Sequence, residues 1–161
     1  MCGSLLEFTY GDLRGAVQPK IRARSKKLPS GTKFVKFDKK SSSLIFSTES
    51  QTYPGTGLKW KQKIKLVDLQ VALDIPDDKL RLVDRVRLAI YGDLKVECTC
   101  PSFLYYGYRY ILTQLDSVVG KKEKRIPKIR NPNLEGTVCK HLDNALYTLP
   151  FIVSSVVKAL K

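Results

Sequence analysis

The sequence predicts an α+β fold: an antiparallel β-sheet followed by C-terminal helices, with one structural zinc site and a basic N-terminal arm. Three observations carry that expectation. Apolar and polar residues alternate between Thr32 and Cys100, the alternation gives way to helical spacing after Pro101, and potential metal ligands stand in two tight pairs, Cys98 with Cys100 and Cys139 with His141. A period of two marks a strand with one buried face, and a spacing of three to four marks a helix.

Residues 1–31, closing on KIRARSKKLPSG, have little periodicity and many turn formers, and are expected to form an extended basic arm. Residues 32–161 make the α+β domain. KFVKFD alternates, KKSSS turns, SLIFSTES resumes, YPGTG turns again, and LKWKQKIKLVDLQVAL runs on with Trp60, Ile64 and Leu66 on one side and lysines on the other. These are three strands in succession. Lys59, Lys61, Lys63 and Lys65 form a stripe, either the wet face of the third strand or a guard on an edge. Ile75, Pro76, Asp77 and Asp78 break the run, and the acids there are expected to be a solvated turn. Val86, Leu88 and Ile90 then alternate against Arg85 and Arg87, the chain turns at Gly92-Asp93, and it returns through Leu94, Val96 and Cys98. This predicts a hairpin with CxC on its second strand.

After Pro101, Phe103, Tyr106 and Tyr110 and also Leu104, Ile111 and Leu115 fall at helical spacings, which predicts one helix from a cap at Ser102 to near Gly120. Its aromatics are expected to pack in the core, with Tyr105 and Tyr108 left to reach a partner. Residues 121–136, cationic and broken by Pro127 and Pro132, are a loop. VCKHLDNALYTL reads as a short helix capped by Thr137, interrupted at Pro150 and followed by a further helix in FIVSSVVKALK.

The composition, 43% hydrophobic and 27% charged over 161 residues, is that of an ordinary single globular domain and excludes wholesale disorder. The longest uncharged stretch, Asn144 to Val157, contains Pro150 and falls short of the roughly 20 apolar residues that a membrane helix requires. Glu7 and Asp12 interrupt the N-terminal segment where a secretory signal carries its apolar core, so an intracellular, reducing setting is expected.

In that setting three cysteines beside a lone histidine point to a metal rather than to disulfides. CxC on a strand places two thiols on one face, and CxH at a helix start supplies a third thiolate and an imidazole, the donor types that tetrahedral zinc prefers. Buried core thiols beside a satisfied histidine are the competing explanation. The use of every ligand in two tight pairs favours the metal, with Cys2 outside the set. Four protein donors leave no open position, which makes the site structural, and chelation is then expected to unfold at least the C-terminal half. GxGxxG, GxxxxGK and HExxH are absent and the one histidine is committed, so no enzyme is expected.

Cys98-Thr-Cys100 followed by Cys139-Lys-His141 resembles the CxC...CxH pattern of SWIM-type zinc fingers, over about residues 83–150. The resemblance implies that a CxC hairpin and a CxH helix close round one zinc ion, and that the module binds DNA, RNA or protein without catalysis. The long stretch between the pairs, residues 101–138, departs from the family pattern. CTCPSFLYYGYRY followed by NPNLEGTVCKHL is also similar to small structural proteins of tailed bacteriophages.

Lys plus Arg number 29 against 15 Asp plus Glu, a net charge of +14, which suits an anionic partner. The excess gathers in the loop, as Lys121, Lys122, Lys124, Arg125, Lys128 and Arg130, and in the arm, as Lys20, Arg22, Arg24, Lys26 and Lys27. Nucleic acid held by its phosphates is the leading expectation. The alternative is a virion assembly protein, a head, neck or connector component whose arm contacts neighbouring subunits.

Overall fold

The computed structural model describes residues 8–28 and 31–161, so Cys2 lies outside the described residues. Four strands, β1 (Thr32–Asp38), β2 (Ser43–Glu49), β3 (Lys59–Leu66) and β4 (Leu94–Cys98), form one sheet in that spatial order, antiparallel throughout. The first three occupy the segments whose alternation predicts them. Alternate residues on one face, including Leu44, Phe46, Ile64, Leu66 and Val96, are buried, and their neighbours face outward. An extra residue at Val35 bulges β1 and restores this phase before Phe37.

The predicted hairpin at residues 83–98 is half wrong. Its first arm is helix α4 (Leu82–Tyr91), and the partner of β4 is β3. Val86 and Ile90 are one helical turn apart and sink with Arg85 and Ala89 into the core, whereas Leu88, also in phase for a strand, is 54% exposed. The expected continuation of the third strand is likewise helical, in α3 (Leu69–Leu73). Buried Arg85 closes the turn after it, donating to the Leu73 and Ile75 carbonyls at 2.8 Å each and to Asp77. The acidic turn is therefore tied to the body by a residue that alternation assigned to solvent.

The expected extended arm is also corrected. Between residues 10 and 26 it forms two helices, α1 (Tyr10–Gly15) and α2 (Pro19–Lys26), which bury Leu13, Val17 and Ile21 in the common core. Thr9 and Asp12 cap α1 reciprocally and Pro19 opens α2, signals that need no long period.

The single helix expected from Ser102 to Gly120 is two, α5 (Pro101–Tyr105) and α6 (Tyr108–Gln114), parted at Gly107. Gly107 has φ 76°, and a Cβ there would stand 2.2 Å from Pro127 Cγ, so the close seating of the loop on this corner requires glycine. Residues 121–136 form neither helix nor strand. Helix α7 (Lys140–Thr148) starts at an N-cap of Cys139 rather than Thr137, a 3₁₀ turn spans Leu149–Phe151 around Pro150, and α8 (Val153–Leu160) ends the chain. Leu142, Ala145, Leu146 and Leu149 recur at helical spacing, and this stripe lays α7 across the inner face of β1, β3 and β4. Among the described residues no helix is long and apolar enough to cross a membrane.

Candidate metal centre

Each element delivers a ligand by its terminus. Cys98 is the last residue of β4, Cys100 caps α5 ahead of Pro101, Cys139 caps α7, and His141 lies in the first turn of α7. Pairing continues one residue past β4, where the Thr99 amide donates to the Lys61 carbonyl at 3.0 Å and the Lys61 amide donates to Thr99 Oγ1 at 2.9 Å. Pro101 then turns the chain, so that Cys100 points back beside Cys98. Because α7 crosses β4, its N-terminus stands over this corner.

The four side chains converge. Their ligand atoms all lie within 4.8 Å of one another, and all four residues are at most 4% exposed. Tetrahedral zinc with sulfur at about 2.3 Å and nitrogen at about 2.0–2.1 Å sets ligand atoms roughly 3.5–3.8 Å apart, so the cluster needs only slight contraction to hold one ion. His141 Nδ1 is 4.0 Å from Cys98 Sγ, and its Nε2 is buried without a hydrogen-bond partner. Buried polar atoms are almost always satisfied, and a ring that protein groups leave short fits a cation in the cluster.

The electrostatics agree. Burial pushes the Cys98 and Cys139 thiols above their ordinary value, while hydrogen bonds from Cys139 and Cys98 lower Cys100. Burial disfavours charge on sulfurs this close together, so three thiolates side by side require a cation among them. Lys140, lowered first by burial and then by Arg24, adds positive charge beside the cluster.

A buried polar chain that sequence reasoning missed supports the site from the sheet. Thr32 Oγ1 is 2.8 Å from Thr48 Oγ1, Thr48 donates to Gln62 Oε1 at 2.9 Å, and Gln62 Nε2 donates to Cys98 Sγ at 3.6 Å and to the Trp60 carbonyl at 2.9 Å. Gln62, fully buried, sits opposite Cys98 in the β3–β4 register. Its signal was present: an amide between Trp60 and Ile64, in the apolar phase of an alternating strand.

The basic residues fall into distinct settings. Lys121, Lys124 and Lys128 are exposed, Lys122 pairs with Asp116 at 3.2 Å, and Arg125 chelates Glu123 through Nε and an η nitrogen at 3.0 and 2.8 Å. Arg130 lies over the Tyr106 ring. Asn131 pins the loop, donating to the Tyr106 and Glu135 carbonyls at 3.1 and 2.9 Å. In α2 and just after it, Lys20, Arg24, Lys26 and Lys27 face solvent, but Arg22 turns inward to the Arg14 carbonyl. Tyr105 is 64% exposed as expected, whereas Tyr108 is buried and stacked on Tyr106, and burial pushes its hydroxyl up to about 12.

No protein-family model matches the chain, and neither curated proteins nor solved structures match it.

Proposed function

We propose that the chain is a non-enzymatic attachment module of the SWIM type, stabilised by one zinc ion, that holds nucleic acid by its phosphates. The observation that carries this reading is the closed, buried set of three thiols and one imidazole, contributed by the ends of a strand and two helices. Soft sulfur donors with one imidazole favour zinc, and four protein ligands leave no coordination position for a substrate. The chain's only histidine belongs to that set, which removes the most versatile acid–base group from other duty. The likeness to SWIM modules rests on the ligand pairs, since β4 pairs with β3 and not with residues 83–91.

Nucleic acid is favoured by the net charge of +14 and by the exposed cations of the anchored loop and of α2. The test is metal analysis joined to a salt titration. Purified protein is expected to carry one zinc per chain, lost on replacing Cys98 and His141 together, and its affinity for arbitrary duplex is expected to fall steeply with ionic strength. Metal-free protein, or binding that ignores salt, overturns the proposal.

One observation favours assembly with another protein, as in a virion, as a second reading. Tyr105, Ile126 and Ile129, the last 92% exposed, border a groove of about 690 Å³ between α5 and the loop. The surface for such contact is then this groove rather than a free arm, because α1 and α2 are packed against the body. Multimers in light scattering with no response to duplex would select it.

A further inference from the structure

The outer face of the sheet holds a cationic surface that neither the loop nor α2 supplies. β3 lies between β2 and β4, so its lysine stripe guards no edge. Across the sheet, Lys61 stands opposite Ser47 and Lys63 opposite Ile45 of β2; beyond these, Lys33 pairs with Ser47 and Lys36 with Ile45. Ser47 and Ile45 therefore floor a trough, with Lys33 and Lys36 on one wall and Lys61, Lys63 and Lys65 on the other. Two strand spacings set the walls about 10 Å apart, and lysines along β3 recur every ~6.7 Å.

Little on this face cancels the charge. Glu97, opposite Lys63, is taken by Arg109 at 2.9 Å; Asp38, which accepts from Ser41 at 2.6 Å and feels the charge of Lys63, and Glu49, opposite Lys59 at the far end of the strand, stand against the five lysines of the walls. Lys65 stands directly opposite Lys95, a like-charge pair that weakens a sheet. Lys95 reaches Asp116, which also takes Lys122, so the trough runs on into the start of the basic loop. The strand positions lining the trough include no aromatic residue on which an unpaired base could stack.

We propose that this trough seats the sugar–phosphate backbone of a double helix, the lysines of β1 and β3 straddling one strand without reading its sequence. A repulsive lysine array on an inner strand costs stability in the free protein, and a polyanion along it relieves that cost and gains from counterion release. The inference rests on the proposed nucleic-acid role and moves its main contact from the loop to the sheet.

The experiment measures binding of a short random-sequence duplex across a range of salt concentrations. It compares the unmodified protein, the triple variant Lys61→Thr, Lys63→Thr, Lys65→Thr, and a control lacking three charges elsewhere, Lys79→Gln, Lys158→Gln, Lys161→Gln. Threonine keeps strand propensity, and unchanged metal content with melting no lower than that of the unmodified protein certifies the fold. The trough variant is expected to lower the slope of log affinity against log salt by roughly 2 to 3, and the control to leave it unchanged. If the unmodified protein binds and the trough variant keeps its slope, or the control loses as much, the trough is overturned while the nucleic-acid role stands. If the unmodified protein ignores duplex, or binds only vesicles of phosphatidylserine and phosphatidylcholine, both fall.

Discussion

At the scale of single residues, the candidate metal ligands were legible because their chemistry is scarce: three thiols and the chain's one imidazole stand in two tight pairs. Gln62 was not, since an amide in a strand reads as polar until the register places it against Cys98 Sγ. A donor held against a sulfur orients the ligand and favours its thiolate, and losing such a partner typically costs 10- to 100-fold in metal affinity. Gln62→Leu is therefore expected to weaken metal retention by about that factor in competition with a chelator, with little change in fold. Equal retention would reduce the Thr32–Thr48–Gln62 chain to packing. Arg22, Arg85 and Tyr108 were misplaced for one reason: each looks like a surface group in sequence, yet finds carbonyls or rings inside that only tertiary structure supplies.

Among elements, the strands with a polar face were readable and the short helices were not. β1, β2 and β3 are long enough for alternation to repeat, and the outward lysines of β1 and β3 sharpen it. Over residues 82–91 the pattern was ambiguous, because Val86 and Ile90 satisfy both a period of two and a helical turn, and only exposed Leu88 separates them. α1 and α2 span 6 and 8 residues, too short for a period to show, and their cations suggested an arm. What holds them is Leu13, fully buried, with Arg14 on Asp143 at 2.9 Å and Ser25 on the same carboxylate at 2.5 Å. Leu13→Ala is expected to cost about 2–5 kcal/mol, read as a lower denaturant midpoint with unchanged slope. A free appendage would register nothing.

For the whole molecule, one cluster joins the parts that sequence separation keeps apart. The inner sheet face, α7 and the α5–α6 corner meet where Cys98, Cys100, Cys139 and His141 converge, and α1 and α2 close over α7 from the other side. Zinc bound to such a set contributes roughly 10–16 kcal/mol, comparable with the whole 5–15 kcal/mol that holds a domain together. Because three thiolates must form against burial that favours thiols, that contribution is present at neutral pH and lost as protons reclaim the sulfurs on acidification. A divalent ion with three thiolates carries only about one negative charge. Such a centre therefore leaves the positive field of the surface intact, so the metal cluster and the surface lysines are separable by mutation. The central claim is that these four side chains share one ion, and X-ray absorption at the zinc edge of the purified protein tests it most directly. The account predicts a shell of three sulfurs at about 2.3 Å and one nitrogen at about 2.0–2.1 Å; a shell of light atoms alone, or protein that holds no metal, would contradict it.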